Sequence, residues 1–347
     1  MKVVVIGGGI AGCSAAALLA EGGADVTLYE REEIAAGASG RNSGLLQHPM
    51  DEVLVPLYAA SLELYAGLDH GFTLPEDSGS LVVSRDGDVI AADLDAAAAR
   101  FPELAPEWLE GAALRAAEPA LADGLYAYRL TSGRPIPPAA ATRAWAQRAR
   151  EAGAEIVVGI EMGADDARRT ADAVVVAAGP WSPEALGAPG WGAVGPLWGA
   201  VAQVRLADPP RHTIEQAGVD ALTTAGGVPD SLFSMVTAGG ASSVGSTFTR
   251  ERPDAAALAP VLLERGARYV PALHDAAIEA VRACARPLSA DGRPLLGEIA
   301  DGIHLLTGHG PWGITLGPGS ARLVTDALLG RLAEVPTELA AMRFGAP

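Results

Sequence analysis

Residues 3–30 read VVVIGGGIAGCSAAALLAEGGADVTLYE: a continuous apolar run, a glycine loop, a stretch of small residues, then a second apolar run closing on Glu30. The pattern predicts a buried β-strand, a helix carrying Ala15, Ala16 and Ala17, and a second strand. Further strands are predicted near 80–84 and 126–130, and a short helix over 91–100. A helix over 137–152 has prolines at its start and Gly153 at its exit, and a parallel strand at Glu155–Val158 follows. Val174, Val175 and Val176 read as a fully buried strand that runs into a small-residue turn at Ala177, Ala178 and Gly179.

Residues 199–248 alternate apolar and polar positions, as in GAVAQVRLAD and SLFSMV, which predicts antiparallel strands half buried on one face. Helical runs are expected at 254–270 and 272–283. The stretch IHLLTGHGPWGITLGPGSARLVTDALLG then reads as strand, glycine-rich loop and helix. No internal repeat of fixed period interrupts this order.

The opening βαβ pattern carries chemistry because of where its glycines fall. Gly7 permits a tight turn out of the strand, Gly9 lets backbone N–H groups approach a pyrophosphate, and Gly12 lets the helix pack closely on the sheet. Phosphates would sit at the helix N-terminus, which carries roughly half a positive charge. Glu30 stands where a carboxylate accepts hydrogen bonds from both hydroxyls of an adenosine ribose, and a ribose 2′-phosphate would be repelled. The segment therefore predicts binding of an ADP moiety, and the turn at Ala178 and Gly179 is expected to bring more backbone to the same ligand.

Composition narrows the class. At 347 residues the chain can bury a substantial core and suits two intertwined domains. Although 49% of the residues are hydrophobic, no apolar stretch reaches the ~20 residues of a membrane span. The first strand begins at once, with no secretory leader ahead of it, so the cytoplasm is the expected compartment. Cys13 and Cys284 make neither a disulfide framework nor a metal-ligand pattern. A net charge of −17 argues against a nucleic-acid partner. Lys2 is the only lysine.

Three downstream segments, VVVAAGPWS, ARPLSADGRPLLG and TGHGPWGITLGPGSARL, join the opening fingerprint in an order that resembles the D-amino-acid oxidase family of FAD enzymes, in the layout of its glycine oxidase and monomeric sarcosine oxidase members. The resemblance spans the chain. It implies an α/β fold: a discontinuous Rossmann-like FAD-binding domain (1–75, 135–195 and 284–347) and an antiparallel-sheet substrate domain (76–134 and 196–283) roofing the flavin. It also implies oxidation of the C–N bond of an amino acid or N-substituted amine to an imine, by hydride transfer to flavin N5. Dioxygen or another electron acceptor would complete the cycle.

The segment GASGRNSGLLQH resembles the family loop that follows the pyrophosphate and passes under the isoalloxazine, which gives cofactor roles to Ser39, Arg41, Asn42, Ser43 and Gly44. Ile10, Ala11, Arg31, Met162, Ala178, Gly179 and Trp181 are placed against the cofactor with them. In the C-terminal loop Gly308, His309, Gly310, Trp312, Gly313, Ile314 and Thr315 would follow the pyrimidine edge, where helix-end potential stabilises charge on the reduced flavin. On the substrate side stand Gln47, His48, Trp312 and, above all, Arg286. Arg286 falls where glycine oxidase-like members grip the substrate carboxylate, a task that suits a guanidinium fork. Its bland alternative is an ion pair with Asp291, and Arg293 is expected to be exposed. For His48 the alternative is a structural histidine.

The chain departs from its resemblance in three places. Pro311 and Trp312 stand where such members can carry a second arginine, which removes one carboxylate clamp and makes the pocket wall more aromatic. Cys284 is in register with the cysteine that tethers flavin in monomeric sarcosine oxidase, yet the residues after it match the non-covalent branch, so FAD is expected to be non-covalent, with a Cys284 thioether as the alternative. No lysine is available near the flavin for reaction with dioxygen. Two other readings stay open: a 2-hydroxy-acid oxidase or dehydrogenase, since the NSG segment also resembles L-2-hydroxyglutarate-type enzymes, and a flavin-binding subunit serving a partner.

Overall fold

A computed structural model describes residues 1–217 and 231–347. The strands are β1 (Lys2–Ile6), β2 (Asp25–Glu30), β3 (Leu45–Leu46), β4 (Ser80–Ser84), β5 (Glu107–Glu110), β6 (Tyr126–Leu130), β7 (Arg134–Pro135) and β8 (Glu155–Val158). They continue with β9 (Ala173–Val176), β10 (Val194–Val204), β11 (Thr213–Gln216), β12 (Ser231–Ala238), β13 (Ala241–Thr247), β14 (Ile278–Ser289), β15 (Leu295–Ala300) and β16 (Ile303–Thr307).

Two sheets organise them. The six-stranded sheet runs β15-β16-β9-β1-β2-β8 and is parallel except for the β15–β16 hairpin. Its central strands are buried on both faces, as the unbroken runs Val3–Ile6 and Ala173–Val176 require. One face carries the helix Ile10–Glu21, whose Ala15, Ala16 and Ala17 are fully buried and allow the helices Pro138–Glu151 and Gly313–Leu328 to pack closely against it.

The eight-stranded sheet runs β14-β10-β13-β12-β11-β4-β6-β5. It is antiparallel apart from the parallel β11–β4 pair, a mixed order that the expected antiparallel platform lacked. One face buries Ala200, Ala202, Val244, Phe233 and Met235 against the helix Ala255–Ala267. The part of the expected platform at 218–230 lies outside the described residues.

The expected strands near 80–84, 126–130 and 155–158 are present, as are helices at Gly87–Arg100 and Pro138–Glu151. The expected helix over 272–283 is not: only a single 3₁₀ turn, Pro271–Leu273, precedes the strand Ile278–Ser289. Its alanines favour a helix locally, but pairing with β10 from Val194↔Ser289 to Val204↔Ile278 overrides that preference. The domain border expected at residue 284 consequently falls inside β14, which belongs to the large sheet through Ser289.

The helix Gly313–Leu328 contains Pro318, which has no N–H to give the Ile314 carbonyl. The buried Tyr65 hydroxyl donates to that carbonyl instead, at 2.7 Å. Ser61 Oγ accepts the next N–H, that of Gly319, at 2.9 Å. A β-carbon at Gly319 would drive into the Leu57 carbonyl, so the helix lies directly on Val55–Ala66. These contacts fix the start of the C-terminal helix, which closes one side of the cavity.

Candidate active site

At the end of β1 the chain turns at Gly7 with φ +113°, where a side chain would meet the Ala177 carbonyl. A β-carbon at Gly12 would strike the Gly7 carbonyl, so both glycines are required by close approach. The helix begins at Gly9 with no side-chain cap, although the Ile10 N–H donates to Ser39 Oγ at 2.9 Å. Glu30 braces the loop: its Oε2 accepts the Gly8 N–H at 2.6 Å and its Oε1 the Glu32 N–H at 2.8 Å.

A cavity of about 520 Å³ opens beyond this turn. At one end the Arg31 guanidinium stacks 4.2 Å over the Trp181 ring, with Met162, Ala178 and Gly179 alongside. The glycine loop contributes Gly7, Gly9, Ile10 and Ala11 to the wall, with Glu30 beside it. Ser39, Arg41 and Asn42 line the next stretch; Asn42 Nδ2 donates to the Ala38 and Ser39 carbonyls and its Oδ1 accepts the Gly44 N–H, which locks the loop. Gly310, Gly313 and Ile314 form another wall, and β14 supplies Cys284 and Arg286.

Arg286 is the unusual member. It is half-buried, and its hydrogen bonds go to neutral acceptors: Nη1 to the Thr247 carbonyl at 3.0 Å and Nη2 to Ser246 Oγ. Its guanidinium lies 4.8 Å over the Phe248 ring. No carboxylate among the described residues pairs with it, and burial pulls its pKa below the usual guanidinium value. The alternative partner Asp291 is occupied by Arg343, at 2.8 and 2.9 Å. Arg293, expected to be exposed, instead forks onto Asp51 at 2.7 and 3.2 Å. Space for the Arg286 head comes from Gly199 on the adjacent strand, where a β-carbon would fall inside the guanidinium. Sequence reasoning missed Gly199, although an isolated glycine within a strand is a known sign of close approach.

Other cavity groups are tuned by burial. His309 is 3% exposed, its Nε2 has no partner, and burial lowers its pKa to about 4, so the imidazole is neutral at ordinary pH. The Cys284 thiol is pushed up by burial, against the opposing pull of Arg286, Arg41 and Arg282.

Several expected site residues lie elsewhere. His48 is enclosed by Tyr58 and Phe101, with ring centroids 5.3 and 5.1 Å away, and is not on the cavity wall. Trp312 turns into the main core, 8% exposed, instead of forming an aromatic pocket wall. Thr315 spends its hydroxyl on the Leu45 carbonyl at 3.1 Å. Gly44 and Gly308 serve backbone packing, against Ile136 and against Leu295 with Ser289. Gln47 is off the lining, and Ser43 faces the large sheet, its Oγ 3.6 Å from the position of a Gly245 β-carbon.

The residues present fit FAD. The glycine turn, whose surroundings would reject any side chain, leaves backbone N–H groups at a helix N-terminus, and Glu30 supplies acceptors beside it. The same cavity is lined by Ser39, Arg41 and Asn42 and, on β14, by a guanidinium with no acid partner among the described residues.

The chain is similar to known proteins at three levels. A segment of 58 residues is 38% identical to a putative oxidoreductase of Schizosaccharomyces pombe, covering 16% of this chain and 15% of that protein. Glycine oxidase of Bacillus licheniformis is 25% identical over 356 residues, spanning 94% of this chain and 92% of its own length. The crystal structure of glycine oxidase from Geobacillus kaustophilus superposes with a TM-score of 0.83 at 24% identity, covering 100% of this chain and 98% of that one. The profile of the DAO family, described as FAD dependent oxidoreductase, matches residues 2–327. With the fingerprint, the cavity and that match in agreement, the chain belongs to the DAO family of FAD-dependent oxidoreductases.

Proposed function

We propose that the protein oxidises the C–N bond of an amino acid or N-substituted amino acid to an imine, with Arg286 holding the substrate carboxylate. The observation that carries this reading is a half-buried guanidinium on the cavity wall that has only neutral partners. An uncompensated cation away from water costs several kcal/mol, so a site that keeps one is built to receive an anion. The similarity to glycine oxidase over nearly the whole chain supports an amino acid as the bearer of that carboxylate.

FAD, when bound, supplies the acceptor for a hydride. The chain supplies position. Thr247, Ser246 and Phe248 hold the guanidinium plane, and the Gly199 notch admits it, which leaves the remaining N–H donors for a carboxylate. Fixing the carboxylate orients the neighbouring carbon, and orientation of this kind is worth several kcal/mol of barrier. The neutral His309 adds no competing charge to the cavity.

Non-covalent FAD accords with a Cys284 thiol whose burial disfavours the thiolate needed for a thioether. Lys2 lies at the start of β1, where its N–H bonds Asp172 Oδ2 at 2.7 Å, so no lysine serves the reaction with an electron acceptor. The described residues contain no helix long and apolar enough to cross a membrane, and the two cysteines are free, which supports a cytoplasmic enzyme.

The test is anaerobic bleaching of the purified flavoprotein by glycine, sarcosine, proline, D- and L-amino acids and, as the competing carboxylate class, 2-hydroxy acids. Bleaching by an amine, reduced about 100-fold or more in kcat/KM by Arg286→Gln, is the expected result. Bleaching by hydroxy acids alone, or an Arg286→Gln variant with wild-type kinetics, would overturn the reading. Acid denaturation should release the yellow colour from the polypeptide.

A further inference from the structure

We propose that Thr247 is a positioning residue for the Arg286 clamp: its hydroxyl completes the hydrogen-bond ladder of β10 in place of a backbone carbonyl, which leaves the Thr247 carbonyl to the guanidinium. The inference rests on the reading of Arg286 as the group that binds the substrate carboxylate.

An extra residue in the chain makes this arrangement possible. β10 and β13 pair antiparallel at Val204↔Ser242, Gln203↔Ser243 and Ala202↔Val244, and the two chains meet again at a bridge between Trp198 and Thr249. Four steps along β10, from Ala202 to Trp198, thus face five along the other chain, from Val244 to Thr249, which is a β-bulge. Had the first register run on, Trp198 would face Phe248, and the Phe248 ring would share a face with Val244 and Ala202, toward the helix Ala255–Ala267. The added residue turns Phe248 to the opposite face, where Arg286 lies over Gly199, and the ring packs 4.8 Å from the guanidinium.

The bulge also interrupts the ladder. N–H groups two apart on a strand point the same way, so those of Trp198 and Ala200 are both directed at the chain that continues β13. The Trp198 N–H finds a backbone carbonyl, that of Thr249, at 2.7 Å, and Thr249 returns its own N–H to the Trp198 carbonyl at 3.0 Å. The Ala200 N–H finds a side chain instead: Thr247 Oγ1, at 2.9 Å. Ala200 is 1% and Thr247 3% exposed, so without that hydroxyl a buried N–H would lose its acceptor.

Because the hydroxyl meets the demand of the ladder, the Thr247 carbonyl accepts Arg286 Nη1, at 3.0 Å. Ser246 Oγ accepts Nη2 and donates to that same carbonyl at 3.4 Å, so both terminal nitrogens of the guanidinium take their position from one peptide unit. A shift of the Thr247 backbone toward Ala200, which a direct carbonyl bond to the ladder would require, would withdraw the support from Arg286. Valine has nearly the shape of threonine without the acceptor, and serine keeps the acceptor without the methyl group.

The experiment titrates the FAD-loaded protein with propionate at constant ionic strength, read by perturbation of the flavin absorbance. Thr247→Val should weaken propionate binding about tenfold, and Thr247→Ser should stay within about threefold of the wild type. In the Arg286→Gln background, titrated at correspondingly higher concentrations, adding Thr247→Val should change the affinity by less than about twofold, since the group it positions is gone. Thermal melting reports the folding of each variant separately, and Thr247→Ala takes the place of Thr247→Val if the latter does not take up FAD. Wild-type affinity in Thr247→Val, a Thr247→Ser variant as weak as Thr247→Val, or an equal loss in the Arg286→Gln background overturns the proposal. Failure of the underlying clamp reading looks different: Arg286→Gln alone would then leave propionate binding intact.

Discussion

The Arg286 guanidinium occupies the volume that a β-carbon would claim at Gly199. The two residues sit on paired strands, with Gly199 opposite Cys284 and Arg286 opposite Leu197, so the arginine head leans diagonally across the pair. Gly199→Ala must therefore move the guanidinium or the strand. The expected outcome is a rise in KM for carboxylate-bearing substrates, with kcat/KM lowered about 10- to 100-fold, the range of a displaced charged hydrogen bond. Steady-state kinetics beside a melting curve would check it; unchanged KM means that the notch is incidental.

Tyr65 replaces the N–H that Pro318 lacks, by donating to the Ile314 carbonyl. Tyr65→Phe leaves this buried acceptor unsatisfied while preserving the ring that packs on Trp145 and Phe72. A loss of about 1 to 3 kcal/mol follows from the general cost of an orphaned buried polar group. Denaturant unfolding measures it. Equal stability would show that water reaches the carbonyl.

Stability should also fall as the solution is acidified below about pH 6.5, the ordinary histidine value. Burial lowers the pKa of His309 to about 4 and also lowers those of His48 and His304. Between the folded and unfolded values the unfolded chain takes up protons that the folded chain refuses, so the stability present above pH 6.5 is lost on descent toward pH 4. His309 alone accounts for about 3 kcal/mol over that span. His309→Gln should flatten the slope in urea titrations at several pH values. Glu118 acts lower on the scale. Burial would raise its carboxyl, but hydrogen bonds from His212 and Arg211 outweigh this and hold it below the ordinary value, so its contribution is lost as pH falls from about 4.5 through the folded value.

Glu30 joins the glycine loop to the end of β2 through its two backbone acceptor contacts. Glu30→Ala removes both the brace and the acceptors expected for a ribose. FAD affinity should fall about 10- to 100-fold in reconstitution titrations of the apoprotein. Wild-type affinity in that variant would relocate the adenosine.

What the sequence revealed about this site depended on distance along the chain. The strand, GGGIAG turn, helix and Glu30 were legible because one local unit contains the cause and the effect of each glycine. The same holds for Val174–Val176 and the turn after it. The strand Ile278–Ser289 was misread as partly helical because its alanines report local preference, while its conformation is decided by β10. The Gly199 notch and the Ser246, Thr247 and Phe248 supports were invisible for a related reason: each is defined by an arginine from a remote segment. His48 and Trp312 lie close in sequence to the cavity wall, yet their side chains turn into apolar surroundings, where an aromatic surface gains more from burial than from lining a cavity.

The order β15-β16-β9-β1-β2-β8 places strands from the two ends of the chain within the same small sheet. During synthesis the ribosome therefore releases β1 and β2 long before β9 and β16 exist to flank them. The glycine turn after β1 must wait, half-assembled, for β9 and β16 to be translated, and such long-range closure slows folding. Completion of the cavity is thus a late event in the life of the nascent chain, because the wall at Gly310, Gly313 and Ile314 is translated long after the glycine turn it faces.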